Sequence, residues 1–346
     1  MTDTCALITG YPNFVVKQLV HRLADDNSKV FLLCKAAFEN EARKEFAPFG
    51  RQVHVITGDV VCMDLGLSGD EVKEVRREVT HLFHLAGIYY LGSDEDEMSL
   101  VNIEGTRNVL SFAREMDRLE RFLHYSTAFV SGNREGVILE DELIEPMRFR
   151  NPFERTKFMA EKLVRRAMND LPITIVRPSL IVGDSVTGKI DNLDGPHFFL
   201  HVLVNLPLDI HLPLVGKGAF PLNIVPVDYV VNSMVHLSGL PEATGMTFHL
   251  VDVNPLPAIK VFEVLCRVAD KKPPRRSIPS NLATYLMKMP GLKKSWRSPR
   301  LFVEMLNQLT LYNAMNTTEV LRDSGIICPS FPSYVSNLVD FMKRKK

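Results

Sequence analysis

Tryptophan occurs once and cysteine five times in 346 residues, and neither sign of charge is in excess. The cysteines, at positions 5, 34, 62, 266 and 328, include no Cys-x-x-Cys pair, which argues against a disulfide framework or a zinc site and favours a reducing cytosol. Lys+Arg and Asp+Glu stand at 41 each, so no global field draws nucleic acid or acidic substrates. The most apolar long window, residues 198–215, is broken by His201, Pro207, Asp209, His211 and Pro213, so no membrane-spanning helix is expected. A charged leader with a cleavage signature is also missing, and the N-terminus enters an apolar strand within a few residues. Repeats and low-complexity tracts are absent. The basic end, Lys343-Arg344-Lys345-Lys346, reads as a solvated tail, with weak attraction to a membrane surface as the sharper alternative.

What is present is an apolar fraction of 46%, enough for a sizeable core in one large or two closely associated domains. Short apolar runs at 5–10, 29–33, 52–57, 80–85, 121–126 and 173–177 read as buried strands. Between them lie amphipathic helical patterns at 13–24, 38–46, 69–78, 101–116 and from Asn151 onward. Unbroken strand–helix alternation predicts an α/β fold with a doubly wound parallel sheet. Beyond Pro178 the pattern loosens. A helix is expected to begin near Pro226, and residues 247–251 read as a strand returning to the sheet. The expected division is a dinucleotide-binding Rossmann domain over 1–183 plus about 226–252. A smaller substrate lobe is then assembled from the discontinuous segments 184–225 and 253–346.

Glycine is scarce where a dinucleotide-binding turn needs it. Between the first strand and helix, Thr9-Gly10-Tyr11-Pro12-Asn13-Phe14-Val15-Val16 keeps only Gly10 of the three glycines that allow a tight turn, close pyrophosphate approach and helix-on-strand packing. Asn13 at the second position is expected to be tolerated because Asn enters the left-handed region more readily than most residues. Val16 at the third adds bulk between helix and sheet. At the end of the second strand Lys35, with Arg43 as a second candidate, offers a cation that suits a ribose 2′-phosphate, and no Asp or Glu is expected to compete nearby. NADP is therefore favoured over NAD.

Residues 183–189 fit Gly-x-x-x-x-Gly-Lys, but Ile190 stands where Ser or Thr would hold magnesium, so a P-loop is not expected. His197 and His201 are four apart without a Glu beside the first or an obvious third ligand, and no metal site is expected. Paired basics at Lys271-Lys272 and Arg275-Arg276 flank prolines without interleaved aromatics, so they read as loop charges.

The chain resembles the extended short-chain dehydrogenase/reductases, most closely the branch of fatty acyl-CoA reductases and thioester reductase domains. The resemblance rests on residues 30–35, Gly58-Asp59-Val60 with Leu65-Gly66-Leu67-Ser68, His84-Leu85-Ala86-Gly87, Asn102-Ile103-Glu104-Gly105-Thr106, Tyr125 to Gly132, and Arg177-Pro178-Ser179, in family order. It implies cofactor contacts from Gly10, Pro12, Asn13, Phe14, Lys35, Asp59, Val60, Ala86, Gly87, Lys157 and Pro178. The family's catalytic Ser/Thr falls on Thr127, with Ser126 its neighbour, and its Lys on Lys157. The Tyr position, four residues before that Lys, holds Phe153. A phenyl ring has no exchangeable proton, and general acid–base help is typically worth ~10²–10⁴-fold.

Three explanations stay open. The chain is a pseudoenzyme acting as a dinucleotide- or ligand-binding module; or Thr127, Tyr89, Tyr90 or a water supplies the proton; or Phe is an introduced change. The implied substrate is a hydrophobic carbonyl compound or an acyl thioester carried by CoA or a carrier protein, bound against the Leu- and Met-rich lobe. No nucleic-acid partner is expected. A homodimer is a family expectation, and the expected location is cytoplasmic, with peripheral membrane contact through the apolar lobe and basic tail as an option.

Overall fold

Five apolar residues, Cys5–Thr9, form the first strand (β1), and all five are buried because a central parallel strand is covered on both faces. In the computed structural model, which describes residues 4–89, 94–191, 214–215, 218–273, 277–278 and 308–344, six further strands join β1. They are β2 (Lys29–Cys34), β3 (Val53–Thr57), β4 (His81–His84), β5 (Arg121–Tyr125), β7 (Ile173–Pro178) and β11 (Thr247–Leu250). The spatial order is β3-β2-β1-β4-β5-β7-β11, and every pairing is parallel. The order reverses between β1 and β4, so the crevice at the carboxyl ends of these two strands is where a doubly wound sheet takes its ligand.

Helices cover both faces. Phe14–Asp25 (α1) and Val227–Ser238 (α7) bury their apolar stripes on one side with Ile8, Leu32, Phe83 and Val176 of the strands. Glu39–Phe46 (α2) packs at the same side's edge through Ala42 and Phe46. On the other face lie Gly69–Glu78 (α3), Gly105–Arg114 (α5) and Pro152–Ala167 (α6), with Leu7, Phe31, Leu82, Phe122 and Ile173 beneath them. The helix expected over 101–116 is in two parts. Glu95–Ser99 (α4) runs into a wider π-type turn at Leu100–Glu104 before α5 begins. α6 starts as its sequence predicts: the Asn151 side chain accepts the Glu154 amide at 3.0 Å, and Pro152 occupies the first turn.

Short parallel ladders tie the rest together. They pair β6 (Gly136–Ile138) with β13 (Thr310–Tyr312), β8 (Leu180–Val182) with β10 (Ile224–Pro226), and β9 (Leu214–Val215) with β12 (Ser277–Ile278). A third apolar cluster joins Val182, Leu222 and Ile224 to helix α8 (Ala258–Val268) and helix α9 (Phe331–Arg344). Tyr90, the pair His197 and His201, residues 198–213, Arg275, Arg276, Lys345, Lys346 and the apolar set Met287, Met289, Leu301, Met305 and Leu306 lie outside the described residues. Among the described residues no helix is long and apolar enough to cross a membrane.

Candidate active site

The turn after β1 approaches the end of β4 so closely that only glycine fits at position 10. Its φ is +109°, and a Cβ there would stand 2.7 Å from the Ala86 amide nitrogen and from the Leu85 carbonyl carbon. Asn13 departs from the sequence expectation. Its φ is −57°, not left-handed, and its side chain accepts the Val15 amide at 2.8 Å as the cap of α1. Asn is therefore tolerated as a helix cap, and the positive helix end beside the Gly10 turn still suits an anion. Tyr11 is buried against Phe38 and Phe46, and its hydroxyl donates to Glu45 at 2.9 Å, while Phe14 and Val16 sink into the core. Pro12 completes the turn at its half-buried edge.

At the far end of the crevice, Lys35 is half exposed and lies 3.1 Å from the Asp59 carboxylate. This corrects the expectation that no acid competes for that cation: β2 and β3 are neighbours, so their ends bring Asp59 to Lys35 from 24 residues away. Arg43 is committed elsewhere, to Glu39 at 2.9 Å and to the Val55 carbonyl at 3.2 Å. Asp59 also accepts the Val61 amide, and buried Val60 offers its carbonyl to Asn108. At Gly58 a Cβ would stand 2.3 Å from the Leu65 carbonyl oxygen, which explains the glycine ahead of that turn.

Between these ends runs a buried polar chain whose donors can be assigned in order. Thr106 donates to the Asn102 carbonyl at 2.7 Å, so its oxygen is left to accept from His84 Nε2 at 3.0 Å. The other ring nitrogen of His84, Nδ1, then accepts from Thr9 Oγ1 at 2.9 Å. Thr9 Oγ1 in turn accepts the Ala86 amide. Burial keeps His84 neutral, holding its pKa down to about 3, with the nearby Lys157 charge adding to the effect. The Asn102 side chain clamps both the amide and the carbonyl of Ile88 and donates to Thr156, fixing the segment Ala86-Gly87-Ile88 against α6.

Lys157 emerges from α6 into the same corner. It is buried, and its ammonium donates to the Tyr125 carbonyl at 2.6 Å. No described carboxylate lies within ion-pairing distance of it. Burial lowers its pKa to about 8, against a raising effect from Glu161 one turn on. Gly87 lies beside that nitrogen: a Cβ there would stand 3.8 Å from it, an ordinary contact, and 3.1 Å from Asn102 Oδ1. Thr127, at the end of β5, accepts the Phe129 amide at 3.3 Å, which leaves its own O–H to donate. Phe153 is half-buried one turn before Lys157. Pro178 closes β7 in register with Leu250, two strands from β4.

Ser126 is in a different environment. Its hydroxyl donates to Glu161 at 2.6 Å, and Glu161 is held by Arg177 through contacts of 3.0 and 2.6 Å and by Arg165 at 3.0 Å. The two guanidinium groups hold the Glu161 carboxyl down to about 2 against burial, which acts to raise it. Arg177 also donates to the Glu140 and Glu142 carbonyls, and the Glu140 carboxylate accepts the amides of His249, Asn316 and Thr317. Sequence reasoning missed Glu161 and Glu140. The spacing of Glu161, four after Lys157 on one helix face, was the available signal for the first, whereas nothing local marks the second.

Comparison with known proteins bears on the family and the fold. The profile of the male sterility protein family matches residues 8–234. Fatty acyl-CoA reductase wat of Drosophila melanogaster is 27% identical over 212 residues, covering 53% of this chain and 40% of that protein. The alcohol-forming fatty acyl-CoA reductase of Simmondsia chinensis is 24% identical over 337 residues, covering 77% of this chain and 67% of that one. The chain thus spans about half the length of the first relatives it matches. Among solved structures, the terminal R domain of the myxalamid PKS-NRPS pathway superposes with a TM-score of 0.82 at 24% identity, covering 99% of this chain and 91% of that one. A thiolation-reductase di-domain from an archaeal non-ribosomal peptide synthetase gives 0.75 at 16% identity, covering 100% and 76%.

Proposed function

The chain belongs to the male sterility protein family, within the extended short-chain dehydrogenase/reductases, and from that premise we propose that it is an NADP-dependent reductase of a hydrophobic carbonyl or acyl-thioester substrate. The observation that carries this reading is the buried Lys157 ammonium. Among the described residues it makes a single side-chain hydrogen bond, to the Tyr125 carbonyl, and it lies beside Gly87 at the carboxyl ends of β4 and β5. A buried cation left with spare donors calls for oxygen ligands, and ribose hydroxyls meet that need.

The residues present fit a dinucleotide. The Gly10 turn leaves no room for a side chain on its β4 side, the positive end of α1 faces the same crevice, and Lys35 stands at its outer end for the 2′-phosphate. Asp59 tempers that cation, so the preference for NADP rests on Lys35 turning from the carboxylate to the phosphate. When bound, the nicotinamide supplies hydride. Thr127 donates its hydroxyl hydrogen to the substrate oxygen and steadies the charge that develops there. Lys157 fixes the ribose and raises the local positive potential. Phe153 contributes a wall and no proton. The acyl portion is assigned to the lobe built on residues 184–225 and 253–346.

A second reading, a dinucleotide-binding module with little turnover, is favoured by one residue, Phe153. Loss of NADPH absorbance with long-chain acyl-CoA thioesters and ketones, measured beside NADPH binding by fluorescence, separates the two. The reductase reading expects NADPH oxidation in the wild type, in Phe153→Tyr, or in both. Tight NADPH binding with no turnover in either protein supports the binding module. Binding of neither dinucleotide refutes the cofactor assignment.

A further inference from the structure

The helix lacks a phenol beside Lys157, but the strand facing it has one. Tyr125 is the last residue of β5, directly before Ser126 and Thr127. Its backbone carbonyl accepts the Lys157 ammonium at 2.6 Å, and the same nitrogen stands over its ring, 5.9 Å from the centroid. The ring lies on the α1 side of the sheet, packed against the cluster that holds Tyr11, Phe14 and Val15. Lys157 therefore reaches across the end of the strand from the α6 side. Tyr125 is only partly buried, and its hydroxyl makes no hydrogen bond with any described residue. Tyr89, after β4, lies close enough to affect its ionisation. The Tyr125 ring and the Lys157 ammonium thus stand together at the carboxyl end of β5, two residues before Thr127.

We propose that Tyr125 is the proton donor of this site, supplying from the strand the phenol that α6 lacks at position 153. The proposal rests on the reductase reading above. Once hydride has added to a thioester carbon, the former carbonyl oxygen carries the electron pair of the broken π bond. The Tyr125 O–H bond breaks and a new O–H bond forms on that oxygen, giving a hemithioacetal and a phenolate. Collapse of the hemithioacetal breaks the C–S bond. The hydroxyl proton passes to sulfur, and an aldehyde and a thiol leave. The phenolate takes a proton from the Lys157 ammonium, which recharges from solvent. Burial pushes the Tyr125 phenol up from its ordinary value, so it is fully protonated at neutral pH. The alkoxide left by hydride addition is the base that takes this proton.

The test uses the whole chain in four forms: wild type, Tyr125→Phe, Phe153→Tyr and the double variant. NADPH oxidation is followed with palmitoyl-CoA, and NADPH binding by fluorescence. The proposal expects Tyr125→Phe to lower turnover ~10²-fold or more while NADPH affinity stays within about twofold, and the double variant to recover it. A purely structural role for Tyr125 would not be rescued by a phenol at 153. A second readout needs no turnover. In protein labelled with 3-fluorotyrosine, the Tyr125 fluorine resonance, identified by its loss in Tyr125→Phe, is expected to shift when NADP⁺ and palmitoyl-CoA are added together. Wild-type turnover in Tyr125→Phe, no rescue in the double variant, or an unmoved resonance overturns the proposal. Turnover in Phe153→Tyr with none in wild type also overturns it and leaves the reductase reading standing. Silence in both of those proteins refutes the reductase reading itself, and the Tyr125 proposal with it.

Discussion

Arg177→Met tests what holds the carboxyl end of β5 in place. Arg177 is 1% exposed and Glu161 is fully buried. The guanidinium donates twice to the Glu161 carboxylate and also to the Glu140 and Glu142 carbonyls. Methionine fills much of the volume but leaves Glu161 with only Ser126 and Arg165. Removing one partner of a buried pair costs about 3–5 kcal/mol, because the remaining charge stays desolvated. Urea unfolding at neutral pH should therefore show a loss of that size at unchanged m. The pH dependence gives a sharper check. Glu161 is held down to about 2 in the folded chain, below the ordinary carboxylate value near 4.3. Its contribution to wild-type stability is thus complete above about pH 4.3 and fades as pH falls toward 2. In Arg177→Met the carboxyl protonates more readily, which relieves its burial. The gap between the two proteins should accordingly shrink as pH falls toward about 2. A loss under about 1 kcal/mol at neutral pH, or a gap that does not narrow on acidification, refutes this account of the ion pair.

Three further perturbations bear on the site. Lys157→Met should abolish NADPH binding yet stabilise the free chain by roughly 1–3 kcal/mol at pH 7, since burial holds the ammonium down to about 8. With a folded pKa below the unfolded one, wild-type stability rises as pH climbs from about 8 to 10.4, so this advantage should vanish by the upper limit; a gain that persists there contradicts the burial argument. His124 is buried with neither ring nitrogen hydrogen-bonded, and burial drives its pKa well below the usual value. His124→Leu should leave thermal stability equal or higher, by up to about 2 kcal/mol, because an unsatisfied polar ring is removed; a clear fall in Tm counts against it. Lys35→Glu places a second acid beside Asp59 and should weaken NADPH binding at least about tenfold relative to NADH. An unchanged ratio of the two dissociation constants would remove Lys35 from cofactor selection.

The seven-stranded parallel sheet is legible in the sequence because both of its signals are local. Each strand is a short apolar run, and each intervening helix carries its own apolar period, so β1, α1 and β2 can be recognised within a few residues of where they lie. The same holds for the cap at Asn151, the spacing of Phe153 to Lys157 and the phenol missing at position 153, all of which are properties of residues close along the chain. Tertiary structure alone decided the partners. Asp59 reaches Lys35 because β2 and β3 are neighbours, Ser126 turns to Glu161 and leaves Thr127 for the crevice, and Asn13 caps a helix instead of entering a left-handed turn. The Glu140 carboxylate gathers amides from His249, Asn316 and Thr317, more than a hundred residues away. Hydrogen bonds and ion pairs act over about 3 Å, and which groups come that close depends on strand order and register, which no stretch of sequence carries within itself. The Lys157 ammonium is the clearest instance. Its position on α6 follows from the sequence, while its burial, its lowered pKa and the strand phenol beside it follow only from the way α6 crosses the end of β5.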